Sequence, residues 1–389
     1  MPGFEIIGSE EQQALNDIFT KSNGVLFAHG FDARRNNIFR VRDFEKAFSS
    51  ALGVKRSAAC TSGTAAIYIA MKAMGIKPGD EVITQSFTFI ATIEAILACN
   101  AVPVVVDVDD TYNMDPAQLK RAITSKTRMI IPVHMLGNPA SMDEINAIAA
   151  QHNILVLEDA CEALGATYSN RPVGGLGHAA AFSLDFGKTI TTGEGGMITS
   201  DDETLITHCM QFIDHGHELN PAFARGNDTA SFYGFNFRMS EMQAAVGIEQ
   251  VKKLNLILNK NRSNKKIIKD ILRQSDKIAF RRITDEKGEL ADTIIFNFEK
   301  KADADRLLSK MAENKIGTKN VPDALKWHFS LYWKHIWEST GFYKSDYKDA
   351  WKKTADLLER SVALPVMVNM PEKDCADYGE RILELLKNI

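Results

Sequence analysis

Between positions 55 and 200, apolar and polar residues follow a repeating order. A short uninterrupted apolar run gives way to a turn, and then to apolar residues at helical spacing. The pattern predicts strand at 56–60 and helix at 64–74, then strand 81–84 and helix 88–99. Strand 102–108, helix 116–123 and strand 128–133 come next. A helix over 141–152 follows, with Ser141 as N-cap and Glu144 three residues on, the spacing of a capping box. Strand 154–159 closes the series. Runs such as Val102-Pro103-Val104-Val105-Val106 suit strands covered on both faces. The alternation predicts an α/β domain with a largely parallel central sheet.

The pattern changes near Val251. Over 251–274, lysines and arginines interleave with Leu254, Ile257, Leu258, Ile267, Ile268, Ile271 and Leu272, which reads as a long amphipathic helix leaving the first domain. Its basic face reads as a solvated surface, not as a nucleic-acid arm. The remainder reads as a smaller α/β domain, with a strand at 293–298, a helix near 302–314 and a last helix around 377–386. The expected division is a large domain with an N-terminal arm, 1–255, and a small C-terminal domain, 256–389.

Composition narrows the class. The chain has 389 residues, is 45% hydrophobic and carries a net charge of −4, so no global positive field draws nucleic acid or an anionic membrane. No apolar run approaches the roughly 18 residues of a membrane span. The opening Met1-Pro2-Gly3-Phe4-Glu5 lacks the basic and apolar regions of a signal peptide, so a cytoplasmic location is expected. Cys60, Cys99, Cys161, Cys209 and Cys375 have neither CxxC nor metal-ligand spacing and read as buried free thiols. His134, His208, His215 and His217 lack HExxH spacing, and no metal is expected.

Candidate chemistry centres on Lys188, in Phe182-Ser183-Leu184-Asp185-Phe186-Gly187-Lys188, just before the glycine-rich turn Thr192-Gly193-Glu194-Gly195-Gly196. Asp159 ends the apolar run Ile154-Leu155-Val156-Leu157-Glu158-Asp159, and Thr61-Ser62-Gly63-Thr64 joins the first strand to the first helix. These are the parts a pyridoxal phosphate (PLP) enzyme needs. The lysine carries the cofactor as an imine, the acid keeps the pyridine nitrogen protonated, and a helix N-terminus with hydroxyls receives the phosphate. Each part also has an ordinary reading: a helix cap at Ser62–Thr64, an N-cap at Asp159, a loop lysine at 188. A partly desolvated lysine is expected to have a lowered pKa. Ser183 can reach the phosphate, and Phe89 can stack on the ring or fill core. Gly174-Gly175-Leu176-Gly177 follows a polar turn and not a buried strand, which excludes a dinucleotide fingerprint. His215 and His217 flank Gly216 in a loop expected to face substrate.

Taken together, Thr61-Ser62-Gly63-Thr64-Ala65-Ala66, Gly79-Asp80-Glu81-Val82-Ile83, Glu158-Asp159-Ala160-Cys161, Ser183 with Lys188, Thr192-Gly193-Glu194-Gly195-Gly196 and Gly234-Phe235-Asn236-Phe237-Arg238-Met239-Ser240-Glu241 resemble the DegT/DnrJ/EryC1/StrS family. These are PLP-dependent sugar aminotransferases of fold type I. The resemblance covers nearly the whole chain. It implies a homodimer with a shared active site, in which Asn236 reaches the phosphate of the partner's cofactor and Phe89 stacks on the ring. It implies L-glutamate as amino donor and a keto- or aldehydo-sugar of cell-surface polysaccharide as acceptor. A narrower likeness lies in Met1-Pro2-Gly3-Phe4-Glu5, in 27–42, in Asp214-His215-Gly216-His217 and in Trp327-His328. It points to the branch that aminates an octulosonate, with 8-oxo-3,8-dideoxy-manno-octulosonate as candidate acceptor. His215, His217, Trp327 and His328 are then candidate sugar contacts, while Trp327, Tyr332, Trp333 and Trp337 read equally well as core.

The chain departs from the family at Glu162, where Gln or His is usual near the cofactor's phenolic oxygen. A carboxylate there must be protonated or bridged by a cation. Family members that deoxygenate sugars replace the lysine by histidine, so Lys188 favours amino transfer. No helix-turn-helix segment precedes residue 55, against a PLP-binding regulator. Cys375 lacks the setting of a cysteine desulfurase.

Overall fold

Helices α1 (Ser9–Lys21) and α2 (Arg40–Leu52) lead into strand β1 (Arg56–Cys60) in a computed structural model that describes residues 3–220, 222, 225–229, 232–343, 347 and 349–389. Met1 and Pro2 of the opening segment lie outside the described residues. Strand and helix then alternate: α3 (Gly63–Ala73), β2 (Glu81–Gln85), α4 (Ala91–Ala98), β3 (Val102–Val106), α5 (Pro116–Ala122), β4 (Thr127–Ile131), α6 (Met142–His152) and β5 (Leu155–Asp159). A small hairpin of β6 (Thr167–Tyr168) and β7 (Arg171–Pro172) precedes β8 (Ala179–Ser183), β9 (Gly196–Ser200) and α7 (Glu203–Ile213).

Seven strands form one sheet in the order β1-β9-β8-β5-β4-β2-β3. β9 is antiparallel to both its neighbours, and the other pairs are parallel. Successive side chains of a strand point to opposite faces, and the core divides accordingly. Ala58, Val82, Met129 and Leu157 pack with α3, α4 and α7. Ala59, Ile83, Ile130 and Val156 pack on the other face, with α2 and α6.

Helix α8 (Glu241–Leu272) leads to β10 (Ala279–Phe280), β11 (Thr293–Asn297), α9 (Lys301–Glu313), α10 (Leu325–His328), α11 (Lys334–Thr340), α12 (Lys352–Glu359), β12 (Ser361–Pro365) and α13 (Glu372–Lys387). β10, β11 and β12 make an antiparallel sheet whose core includes Ile268 and Leu272 of α8, Leu307 of α9 and Ile382 of α13. Position 255 lies inside α8. The segment through α10, α11 and α12 packs against the first sheet: Trp333 and Trp337 are buried in its core, and Trp351 Nε1 donates to Val105 O at 2.9 Å. Trp327 and Tyr332 stay exposed.

Two helix starts and one cap differ from the sequence expectation for physical reasons. α8 starts at Glu241, ten residues before the basic stretch, because Ser240 and Gln243 form a capping box there. The box expected at Ser141 does not form. Ser141 has φ −70° and ψ 67°, outside the extended N-cap region, and its side chain makes no cap bond. α4 starts at Ala91, not Thr88, because the Thr88 and Ile90 amides donate to the carbonyls of His328 and Trp327, each at 2.9 Å. All five cysteines are free, four of them buried.

Candidate active site

Ligands of open α/β sheets bind beyond the carboxyl ends of the strands. Here β1 delivers Ser62 and Gly63 to that edge, β2 delivers Phe89 and Thr92, β5 delivers Asp159 and Glu162, and β8 delivers Ser183 and Lys188. Together they line a cavity of about 310 Å³.

Local turns aim the lysine. Asp185 Oδ1 accepts from Gly187 N at 2.8 Å, and Asp185 O accepts from Lys188 N at 3.0 Å. Such a turn brings the chain back on itself after β8. The N-terminal segment braces it from outside: Gly3 N donates to Lys188 O at 3.0 Å, and the Phe4 and Phe186 rings stack at 4.9 Å.

Asp159 is buried and bonded. Thr92 Oγ1 donates to its Oδ2 at 2.7 Å, Cys161 N to its Oδ1 at 3.2 Å, and Thr88 and Thr92 share a further bond of 2.8 Å. Helix α3 begins between Asp159 and Lys188 in the cavity wall, with Ser62 Oγ accepting from Ala65 N at 3.1 Å. A Cβ on Gly63 would lie 2.7 Å from Ser183 Cβ and 3.0 Å from Cys161 Sγ, so only glycine lets the helix N-terminus come this close to the lysine-bearing strand.

The expected lowered lysine pKa is overturned. Burial pulls Lys188 down, but Glu162, Cys161, Asp159 and Asp185 outweigh it and hold the ammonium above its ordinary value. Glu162 Oε1 lies 3.7 Å from Lys188 Nζ and 3.9 Å from His328 Nε2, and its Oε2 accepts from Leu136 N at 3.1 Å. Burial alone would raise Glu162. Lys188, His328 and Lys319 outweigh it and keep the carboxyl below its usual range. The carboxylate thus lies within reach of two basic side chains, Lys188 and His328.

Phe89 is partly exposed at the cavity, its ring 5.2 Å from that of His328. His328 is buried, which pushes its pKa down. The other candidates do not line this cavity. Asn236 is exposed and bridges to Asp214. His215 is exposed at φ 58°, and His217 Nδ1 lies 3.4 Å from Asp228 Oδ2. Trp327 is 58% exposed.

The match to known proteins follows this geometry. The model of the DegT/DnrJ/EryC1/StrS aminotransferase family matches residues 35–382. The chain belongs to that family. It is 33% identical over 359 residues to the spore coat polysaccharide biosynthesis protein SpsC of Bacillus subtilis (strain 168), with 90% of each chain covered. It is 45% identical over 216 residues to the GDP-perosamine synthase of Caulobacter vibrioides, a stretch that is 55% of this chain and 57% of that protein. The crystal structure of NtdA from Bacillus subtilis with bound cofactor PMP (pyridoxamine phosphate) superposes with a TM-score of 0.81 at 26% identity, over 98% of this chain and 83% of that one.

The chain is thus a PLP-dependent sugar aminotransferase of the DegT/DnrJ/EryC1/StrS family. Its residues fit the cofactor: the cavity joins a lysine, a buried carboxylate held by two donors and a helix N-terminus kept clear by Gly63. Sequence reasoning missed Thr92, Asn320 and Glu194, which also line the cavity. Thr92 gave no clear signal, since it sits in the first turn of α4 while its neighbour Thr88 lies before the helix. Asn320 had none, since it arrives from the C-terminal part of the chain. The segment Gly174-Gly175-Leu176-Gly177 wraps a buried carboxylate, and Glu158 accepts from the amides of Gly174, Leu176 and Gly177 at 2.8–2.9 Å. His134 donates to Glu158 through Nε2 at 3.0 Å, because its Nδ1 accepts from Ala140 N.

Among the described residues no group of three or more His, Cys, Asp or Glu could hold a metal ion, and no helix is long and apolar enough to cross a membrane.

Proposed function

We propose that the protein acts in the cytoplasm, moving an amino group from L-glutamate to a keto- or aldehydo-sugar destined for cell-surface polysaccharide. The observation that carries this reading is Lys188, turned into a cavity it shares with Asp159 and the α3 N-terminus. PLP, when bound, supplies an electrophilic carbon and a ring that takes up the electron pair released at the donor's α-carbon. Lys188 would hold the cofactor and, once freed, would take the proton from the donor's α-carbon at Nζ and deliver it to the cofactor's electrophilic carbon. Asp159 holds the proton on the ring nitrogen, with Thr92 fixing its oxygen. The amides at Ser62, Gly63 and Thr64 and the hydroxyl of Ser183 receive the phosphate. Phe89 would cover the ring, its own side chain lying 5.2 Å from that of His328.

Asn236, exposed on its own chain, reaches the phosphate held by a second copy, so the working unit is a homodimer. In the same reading His215, His217 and Trp327 meet the sugar through that second copy, and the chain divides into a cofactor domain, 1–255, and a small domain, 256–389. The preferred acceptor is 8-oxo-3,8-dideoxy-manno-octulosonate, supported by the likeness in 27–42, 214–217 and 327–328. A nucleotide-linked keto-sugar is the second reading, favoured by the 45% identity to a GDP-perosamine synthase.

Two steps test this. Borohydride reduction of the loaded enzyme followed by peptide mapping should find the cofactor on Lys188. L-Glutamate should then bleach the visible absorbance, and one class of keto-sugar should restore it. Failure of every amino donor to bleach it sinks the proposal.

A further inference from the structure

The turn 135–137 after β4 is held from the C-terminal half of the chain at three consecutive carbonyls. Arg281 Nη1 donates to Met135 O at 3.0 Å, Arg281 Nη2 to Leu136 O at 2.7 Å, and Leu290 N to Gly137 O at 2.9 Å. The same turn supplies the Leu136 amide that Glu162 Oε2 accepts at 3.1 Å.

Leu136 sits at φ 49° and ψ 47°, the left-handed region that residues with a side chain rarely adopt. Such a conformation persists only where its surroundings over-determine it. Here it turns the carbonyl toward Arg281 while the amide faces Glu162. Arg281 is itself fixed: its side chain is 4% exposed, and its own amide donates to Ile295 O at 3.0 Å. Both Nη groups go to main-chain carbonyls, and Nε has no partner among the described residues. A planar fork spans two adjacent carbonyls as a lysine ammonium does not.

We propose that Arg281 is a positioning residue of the active site: by clamping 135–137 it sets the Leu136 amide, and through it the face that Glu162 turns to Lys188. This rests on the reading that Lys188 carries the cofactor. The titratable and charged groups that face Glu162 are Lys188, His328, Lys319, Arg281 and Cys161, while Asp159, at the end of β5, and Asp185, in the turn that carries Lys188, face Lys188. Lys319 is already paired with Asp292 at 2.6 Å. The Leu136 amide is therefore the neutral contact that decides where the carboxylate points.

The test is a pH titration of the visible absorbance of the bound cofactor in wild type, Arg281→Lys, Glu162→Gln and the double variant. A carboxylate fixed near Lys188 Nζ favours the protonated nitrogen and raises the midpoint. Arg281→Lys keeps the charge but loses the fork. Its midpoint should fall by about 0.5–1 pH unit, in the direction of Glu162→Gln and by less. The double variant should match Glu162→Gln alone. An unmoved midpoint in Arg281→Lys, or shifts that add in the double variant, overturns the proposal. Gly137→Ala, whose Cβ would meet Leu290 Cβ at 2.6 Å, disturbs the same turn from its other anchor and should move the midpoint the same way. It is the second variant if Arg281→Lys does not fold. Peptide mapping of each protein keeps the two ideas apart: cofactor absent from Lys188 defeats the functional reading, whereas cofactor on Lys188 with an unmoved midpoint defeats only the clamp.

Discussion

Thr92 Oγ1 donates to Asp159 Oδ2 at 2.7 Å inside the protein, so a neutral hydroxyl on one helix orients the acid at the end of a neighbouring strand. Thr92→Val keeps the shape and removes the donor. A buried hydrogen bond to a charged group is worth about 1.5–3 kcal/mol. PLP affinity or kcat/KM should therefore fall by roughly 10–100-fold, with the fold intact by circular dichroism. An unchanged Kd for PLP together with an unchanged kcat/KM would show that Asp159 needs no help from Thr92.

Gly63→Ala tests the close approach of α3. The new methyl would sit 2.7 Å from Ser183 Cβ, so either the helix or β8 must move. Overpacking of this kind costs about 1–3 kcal/mol. The expected outcome is a lower Tm and a PLP Kd raised about tenfold or more. Equal Kd values would mean that the helix end does not meet the phosphate.

Much of this was legible in the sequence. Strands covered on both faces read as unbroken apolar runs, so β1 to β5 were visible in the pattern. Asp159 and Ser62–Thr64 stood out at the carboxyl ends of such runs, and Lys188 stood out beside a glycine-rich turn. The partners were harder to see, because they come from distant segments. Thr92 meets Asp159 across 67 positions, and Arg281 meets Leu136 across 145. Glu158 looked like one more residue of a strand, yet it organises the glycine turn at 174–177 from the inside. The lysine pKa was misjudged because burial was visible in the pattern, while the carboxylates gathered around Nζ were not.

That correction has a pH signature in the cofactor-free protein. Lys188 is raised on folding, so its contribution is fully present below its ordinary value of 10.5 and is lost as pH rises through the higher folded value. Glu162 is lowered, so its contribution is present above its ordinary 4.5 and is lost as pH falls through the lower folded value. Glu162→Gln should therefore cost on the order of 1–3 kcal/mol between about pH 5 and 10, and less on either side. Urea unfolding across that range measures it, and a deficit independent of pH would exclude the ion pair as its source.

The N-terminal arm depends on a buried charge. Arg35 Nη2 lies 2.6 Å from Glu241 Oε2, and both side chains are almost fully enclosed. Glu241 also accepts from Arg40 N at 2.7 Å and Val41 N at 3.1 Å, at the start of α2. Arg35→Met strands that carboxylate and should destabilise the protein by about 3–5 kcal/mol. The urea midpoint should shift accordingly with little change in slope. A loss under about 1 kcal/mol would mean that the arm is held by packing alone.

Strand β1 has one neighbour in the sheet, β9, whose residues follow it by well over a hundred positions. A growing chain that has not yet emitted Gly196 holds the Ser62–Thr64 cradle on a strand without its sheet partner. Contacts so far apart in sequence form slowly. Completion of the phosphate cradle is therefore a late event in folding, after β9 has been made.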